Sequence, residues 1–508
     1  MKTLFAILVF TCSFVCTTVA QPAPEPSGSA AADYNVIERG PHHRVLAKVT
    51  WQTDALGRVT AHTNSYTELL GGMHYLKDGQ WVESQDVVES YPGGAVARHG
   101  PVNVIFANNL ATAGAIDMQT PDGKRLTSHI TGLSYFDAAS GTNILIAAIK
   151  DCQGKILPPN QVLYEDAFQD LRASVRYTYT RGTFEQDVIL LEAPQPPENY
   201  GLNPATSRLV IMSEFIDAPQ PVQQVSNSKD EAGTPLQDET RDFGELQIGS
   251  GKGMLLGNDG PQPEVRIWKQ WATIEGRQFL IEQVPAVELF KAIASLPARL
   301  GASLKPPSEA IRFTASTSGR LPSFPLAKPS TNAMLLASAP LPEQGYLLDY
   351  SAVVTTNSLT FQADMTYFVR GSITLSGTTT MEGGTVIKYT NNATLSVAST
   401  LVLQTSEFRP VTFTSMHDNS VGEVITNSTG NPVRTTATYL SQATGTSFGY
   451  KHLRFRYAGT AVVNSSCPML TFWHSRFLNC GTCAQAWFMG GGSYVVLYNV
   501  LMLSLIHI

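Results

Sequence analysis

The feature that most constrains the fold is a repeat of very short strands between residues 367 and 415. Runs of three to five residues rich in β-branched side chains are separated there by Gly, Asn and Ser. The tripeptide TLS at 374–376 returns at 394–396, an offset of 20 residues. A period near 20 that is made of short strands is typical of a β-solenoid, in which each coil stacks on the preceding one.

A second repeat follows further along the chain. The segment 455–461 aligns with 477–483 at an offset of 22, and a step of 24 takes Phe477 to Leu501. Coils of this length suit a parallel β-helix, whereas a propeller blade needs about twice the period. The sequence therefore predicts a parallel β-helix over residues 346–502. The polar stretch 416–450 is predicted to leave the stack at a turn, either as a binding face or as a solvated loop.

The same region resembles the right-handed parallel β-helix proteins of the pectate-lyase-like superfamily. The resemblance rests on the spacing L-x-x-G-T-x-x-x-x-G-x-x-I-x-Y/F and on the strand that follows it at 411–415. It covers residues 346–502 and implies a fold, but it transfers no catalytic residue.

Catalysis on such a fold requires a particular arrangement of carboxylates. Lyases hold Ca²⁺ with a cluster of acids and use a base to abstract a proton, and glycoside hydrolases need two facing carboxylates. The acidic residues of the predicted solenoid do not recur at one position of successive coils: Asp349, Asp364, Glu382, Glu407, Asp418 and Glu423. We therefore expect no catalytic residue, metal or cofactor in the coils present.

Residues 34–300 predict an all-β, antiparallel module of sandwich-like type. Polar and apolar side chains alternate at 44–51 and 208–212, as in half-buried strands. The DG pairs at 78–79 and 122–123 lie between such strands and predict hairpins with type I′ turns. GSGKG at 249–253 lacks the Lys-Ser/Thr ending of a phosphate loop and predicts a flexible turn.

The module is predicted to close with a single helix at 285–296, which begins near a proline and places Leu289, Ile293 and Leu296 on one face. The segment 301–345 is rich in Pro, Ser and Ala without either period, and it predicts a linker between the two modules.

One line of the module resembles segments that precede Rhs/YD-type repeat regions in exported bacterial proteins. It consists of a Tyr-x-x-x-Phe segment at 164–168, the strand YTYT at 177–180 and QDVIL at 186–190. The resemblance implies the amino-terminal part of a large secreted or surface-exposed protein.

The two ends of the sequence carry different signals. Residues 1–20 combine Lys2, an apolar run and a small-residue cleavage site, which together predict a secretory signal peptide. Residues 21–33 predict a disordered leader. The last six residues, 503–508, match the translation of a transposase sequencing adaptor, so we expect the natural sequence to depart near Met502. Their apolar character is too short for a membrane span, and no span is expected after signal removal.

Charge and cysteine content narrow the partners. Residues 346–508 hold eight Lys or Arg against six Asp or Glu, without a concentrated basic face, so nucleic acid is disfavoured as a partner. The adjacent residues His42 and His43 lack acidic partners at metal-ligand spacing and are interpreted as solvated.

The C-x-x-C pair formed by Cys480 and Cys483 is interpreted together with Cys467 as buried structural thiols. A disulfide, or a metal or redox site, stays open as an alternative.

These observations predict a secreted or cell-surface, non-enzymatic protein. Its β-helix would be a stalk or scaffold whose partner is a carbohydrate or another cell-surface component. The alternative is a polysaccharide lyase or glycoside hydrolase whose catalytic coils lie beyond residue 502.

Overall fold

A computed structural model describes residues 34–229, 233, 235–249, 251–256, 265–298, 312–314, 331–337, 344–356, 358–443, 446–465, 467–487 and 492–503. The predicted signal peptide, the leader, most of the linker and residues 504–508 lie outside this part of the chain. Within it the protein is nearly all β, as predicted, with an antiparallel N-terminal region and a parallel C-terminal solenoid.

The N-terminal region contains twenty-five strands, one short 3₁₀ helix at Pro197–Tyr200 and one α-helix, α1, at Ala286–Ala292. The strands are β1 Asn35–Arg39, β2 His43–Thr53, β3 Val59–Leu69, β4 His74–Lys77, β5 Gln80–Glu83, β6 Glu89–Tyr91, β7 Gly94–Ala97, β8 Asn103–Ala107, β9 Ile116–Gln119, β10 Arg125–Asp137, β11 Thr142–Ala148, β12 Gly154–Leu157, β13 Gln161–Tyr164, β14 Ala173–Tyr179, β15 Thr183–Leu190, β16 Ser207–Ile216, β17 Val222–Lys229, β18 Pro235–Asp242, β19 Leu246–Ile248, β20 Gly251–Leu256, β21 Val265–Ile274, β22 Arg277–Pro285, β23 Arg312–Thr314, β24 Leu335–Leu336 and β25 Gly345–Thr356.

The main antiparallel strands form two layers that face each other. One layer has the order β6-β7-β8-β9-β10-β16-β22-β21, and the other has the order β12-β13-β14-β15-β25-β20. The layers join where β20 pairs with β21. Aromatic rings from both layers meet in the core, where Phe106 of β8 lies 5.9 Å from Tyr177 and 6.2 Å from Phe184 between ring centroids. The module is therefore sandwich-like.

Both DG pairs form the hairpin turns that the sequence predicts, but only one has the predicted geometry. At 78–79, between β4 and β5, Asp78 and Gly79 both have positive φ (51° and 77°), as a type I′ turn requires. At 122–123, between β9 and β10, only Gly123 has a positive φ, of 82°. There the backbone N–H of Gly123 bonds to Thr120, so a longer turn with one left-handed glycine replaces the type I′ turn.

The predicted helix exists but is shorter than its sequence pattern. It spans Ala286–Ala292, with Leu289 and Ile293 buried against the core. Beyond it the N–H of Leu296 bonds back to the carbonyl of Ile293 as a single turn, because Pro297 disfavours the helical conformation in the residue before it.

Two other sequence interpretations are wrong. His42 is 9% exposed rather than solvated, since its Nδ1 accepts the N–H of Gly72 over 2.9 Å. The segment 251–253 is the start of β20 rather than a flexible turn. Gly251 is needed there because a Cβ would collide with the carbonyl oxygen of Asp349 on β25.

The C-terminal strands form a parallel β-solenoid of about six turns. Every turn contributes one short strand to each of three faces: β26 Leu359–Phe361, β27 Thr366–Val369, β28 Ile373–Leu375, β29 Thr379–Glu382, β30 Val386–Tyr389, β31 Leu395–Val397, β32 Leu401–Gln404, β33 Val411–Ser415, β34 Thr438–Ala443, β35 Phe448–Lys451, β36 Leu453–Arg456, β37 Thr460–Ser465, β38 Met469–Trp473, β39 Arg476–Leu478, β40 Thr482–Trp487, β41 Tyr494–Tyr498 and β42 Leu501–Leu503.

The three faces are stacked as predicted. One sheet runs β27-β30-β33-β36-β39-β42, a second runs β28-β31-β34-β37-β40, and the third is made of β26-β29-β32 and β35-β38-β41. Aromatic rings stack along the interior between successive coils: Phe413 lies 4.6 Å from Phe455, which lies 5.2 Å from Phe477.

The register of the coils confirms one predicted offset and corrects two. Phe455 pairs with Phe477, as the offset of 22 requires. Leu375 pairs with Val397 rather than with Leu395, and this shift of two residues keeps the same side chains inside. Phe477 pairs with Met502 rather than with Leu501. A one-residue shift turns the strand over, so Met502 packs against the core and Leu501 is 47% exposed.

The N-terminal strands continue the solenoid. β3 pairs in parallel with β27, so the antiparallel strands β1, β2 and β3 extend the same sheet on the side of its first coil. β25 pairs with β15 of the sandwich-like module and, through its last residues, with β28 of the solenoid. Backbone hydrogen bonds therefore connect the two regions in two places.

Candidate functional site

The predicted insertion lies across the outside of the solenoid rather than projecting from it. Only 416–437 leaves the stack, because β34 and β35 are regular strands of the next coil. Ile425 in this loop is buried against Leu46 and Tyr66 of the N-terminal strands and Phe368 of the solenoid. The loop thus ties the N-terminal strands to the solenoid, and this part of it is no open binding face.

Polar contacts hold this loop in the same position. Glu423 accepts hydrogen bonds from the Tyr34 hydroxyl (3.3 Å) and from Asn64 Nδ2 (3.0 Å). Beneath the loop, Lys388 Nζ donates to the carbonyl oxygens of Asp418 (2.8 Å) and Glu423 (2.6 Å). Burial lowers the pKa of Lys388 to about 8, partly offset by the two nearby carboxylates.

Other acidic residues of the solenoid are held in separate structural contacts. Asp364 lies 2.6 Å from Arg409, and Asp418 lies 2.9 Å from Arg456. Glu382 accepts a backbone N–H over 2.7 Å. Among the described residues, no three His, Cys, Asp or Glu side chains are grouped so as to hold a metal ion.

Two buried carboxyls of the sandwich-like module have raised pKa values, a feature that the sequence did not predict. Glu282 lies opposite Lys269 across β22 and β21, and burial raises its pKa to about 8. Burial also raises the pKa of Asp187 to about 6, although Arg176 lies 2.7 Å away. Asp187 faces Asp349 across β15 and β25 but is 1% exposed, so a substrate cannot reach it.

The three predicted thiol residues are buried and unbonded. Cys467, Cys480 and Cys483 are each 0% exposed and none forms a disulfide. Cys483 lies in the interior position that Ala461 occupies one coil earlier. Burial raises the pKa of Cys480 and of Cys483 to about 11, which disfavours the reactive thiolate.

A polar cleft of about 380 Å³ lies where the two regions meet. Its charged lining is Arg181, Arg370 and Asp86. Arg181 is held by Asp86 with a shortest separation of 3.2 Å, and Arg370 lies 3.2 Å from Glu68. Because both guanidinium groups are already paired with carboxylates, we interpret the cleft as a structural junction.

A second concavity, of about 280 Å³, lies on the outer face of β35, β38 and β41; we name it the solenoid groove. It is lined by Ser447, Phe448, Gly449, Met469, Thr471, Trp473, Val496 and Tyr498. The indole of Trp473 stacks on the ring of Tyr498, with centroids 3.9 Å apart and planes at 14°. Met469 and Tyr498 are 43% and 45% exposed.

Sequence reasoning missed this groove, although a signal for it exists. Trp473 and Tyr498 are 25 residues apart and pair directly, so they occupy one position of successive coils. The offset used for the sequence alignment was one residue shorter, and it therefore did not bring these two aromatic residues together.

Among the described residues no helix has the length and apolar character to cross a membrane. No family model, curated protein or solved structure matches the chain.

Proposed function

We propose that this chain is an exported, non-enzymatic scaffold whose solenoid binds carbohydrate in the solenoid groove. The single observation that carries the proposal is the exposed pair of Trp473 and Tyr498 beside a shallow, uncharged floor. Aromatic rings and a few hydroxyl groups are suited to sugars, since sugar rings have apolar C–H faces and polar edges.

The arrangement of the solenoid's acids supports binding rather than catalysis. Asp364 and Asp418 are each paired with an arginine on the solenoid, and Glu423 is engaged by the N-terminal strands. No observation on the described coils favours the alternative, a polysaccharide-degrading enzyme. The pectate-lyase-like and Rhs/YD resemblances, and secretion to the cell surface, belong to the same proposal.

Affinity electrophoresis of the purified chain through gels that contain soluble polysaccharides tests the proposal. We expect retardation by at least one polysaccharide, and loss of that retardation in Trp473→Ala. Phe408→Ala is the matched control, because Phe408 is an aromatic side chain of the solenoid that is 88% exposed and lies outside the groove. Equal mobility in every gel would overturn the proposal.

A further inference from the structure

The solenoid groove has a floor and two walls that run from coil to coil. Gly449, Thr471 and Val496 are direct partners on neighbouring strands and form the floor. Alternation along β38 places its core residues Leu470 and Phe472 on the opposite face. Successive coils are about 4.8 Å apart, so the floor extends about 10 Å along the solenoid axis.

The walls stand on either side of this floor. One wall is the row Lys451, Trp473 and Tyr498, and the other contains Met469 and Tyr494. Met469 and Trp473 are four residues apart on β38, which separates their Cα atoms by about 13 Å. The groove is therefore a channel parallel to the solenoid axis, one side of which is aromatic.

The floor is open because of one glycine. A Cβ at Gly449 would have no heavy atom within 4 Å, so a side chain there would enter the groove without a clash. Thr471 at the next coil is 9% exposed and Val496 is half-buried, and both are short. Gly449 is thus the place where the groove is deepest and where it can be filled.

The lining is also uncharged. None of its eight residues carries a carboxylate, an ammonium or a guanidinium group. The nearest charge described on the walls is Lys451, whose Nζ lies over the ring of Trp473 at 5.9 Å. An anionic ligand would lose hydration in the groove without gaining a paired charge, whereas an uncharged ligand matches the lining.

We propose that the solenoid groove takes an uncharged, extended glycan of all-equatorial hexopyranose units, lying along the solenoid axis. This inference rests on the proposed function and specifies its ligand. All-equatorial rings are flat and carry their C–H groups on both faces, so that they pack between the aromatic wall and Met469. The hydroxyl groups at the ring edges reach Ser447, Thr471 and bulk water.

Isothermal titration of the full chain with cellohexaose, an uncharged all-equatorial probe, tests the inference. We expect binding that changes little with ionic strength, because no charge is neutralised. Hexagalacturonate, which carries a carboxylate on every ring, is expected to bind at least about tenfold more weakly, a difference of about 1.4 kcal/mol.

Two variants locate the site. Gly449→Ile fills the floor and is expected to weaken cellohexaose binding by at least about tenfold. Gly249→Ile is the matched control, since a Cβ at Gly249 also meets open space but lies in the sandwich-like module; it is expected to bind as the unmodified chain does. Thermal unfolding of both variants confirms that the fold is kept.

The possible failures are distinguishable. Preference for hexagalacturonate, or cellohexaose binding that Gly449→Ile leaves unchanged, overturns this inference while carbohydrate binding itself stands. Absence of binding to every polysaccharide overturns the proposed function as well.

Discussion

Lys388 and Glu423 are joined by a hydrogen bond of 2.6 Å, in which the lysine ammonium donates to the backbone carbonyl oxygen of the glutamate. The lysine lies on β30 of the solenoid, and the glutamate lies in the loop that packs against the N-terminal strands. The side chain of Glu423 in turn binds Tyr34 and Asn64. One buried amine therefore helps to connect three parts of the chain that are far apart in sequence.

Replacing this amine is expected to destabilise the protein. In Lys388→Met the carbonyl oxygens of Asp418 and Glu423 lose their donor while they remain covered, and the free energy of unfolding should fall by about 3 kcal/mol. Urea denaturation measures the loss. Lys451→Met, a change at an exposed lysine of β35, should remain within about 0.5 kcal/mol of the unmodified chain. Equal stability of the two variants would contradict the role given to Lys388.

The same lysine predicts a pH dependence. Its pKa is about 8 in the folded protein and higher in the unfolded chain, so the folded state binds fewer protons between these values. The contribution of Lys388 to stability should therefore rise as the pH increases from about 8 toward about 10.5. Denaturation midpoints of the unmodified chain and of Lys388→Met, measured across this range, should differ increasingly with pH. A constant difference would show that the amine does not titrate there.

Acid should weaken the protein through His42. Burial lowers the pKa of His42 to about 4, whereas an unfolded histidine titrates near 6.5. Its stabilising contribution is present above pH 6.5 and is lost as the pH falls toward 4, by up to about 3 kcal/mol. In His42→Gln, whose amide oxygen is able to accept the N–H of Gly72, this acid-dependent part should disappear. His62→Gln, a change at an exposed histidine, should keep it.

The ladder of stacked rings inside the solenoid should dominate its packing stability. Phe455 is 0% exposed and stacks between Phe413 and Phe477. Phe455→Ala should lower the free energy of unfolding by about 3–5 kcal/mol because it leaves a cavity between two coils. Phe408→Ala, at a ring that is 88% exposed, should change it by less than about 0.5 kcal/mol. Similar losses in both variants would refute the stacking described for the interior.

Thiol titration tests the interpretation of the cysteines. The four cysteines of the described region are free and buried, and burial raises the pKa of Cys152, Cys480 and Cys483 to about 11. A chain without residues 1–20 should therefore release no colour from a thiol reagent while folded and four equivalents after unfolding without reductant. Two equivalents after unfolding would indicate a disulfide, and fast reaction of the folded protein would indicate a reactive thiol.

The fold class is readable from the sequence because its signals are local. Each solenoid strand is marked by alternating β-branched residues, and sharp turns carry residues that tolerate positive φ. His452, His474 and Asn499 occupy such turns, with φ of 51°, 51° and 50°. Repetition of these local marks at one spacing is sufficient to predict stacked coils.

Register and distant pairing are less readable. Leu375 fits opposite either Leu395 or Val397, because a shift of two residues preserves the pattern of inside and outside positions. The pairing of β3 with β27 joins residues about 300 positions apart, and nothing in either strand alone indicates its partner. His42 was judged by its polar neighbours in sequence, whereas its burial arises from the folded junction.

The candidate site follows the same division. The interior thiols could be placed from the coil repeat, since Cys483 aligns with Ala461. The solenoid groove could not, because it depends on a step of 25 residues between β38 and β41 that differs from the preceding 22. A local change in coil length determines which side chains form the walls.

A glycan microarray probed with the unmodified chain, Trp473→Ala and Phe408→Ala tests the central claim most directly. The account predicts a common set of bound glycans for the unmodified chain and Phe408→Ala, enriched in uncharged structures, and loss of that set in Trp473→Ala. Failure of the unmodified chain to bind any glycan, or an unchanged set in Trp473→Ala, would contradict it.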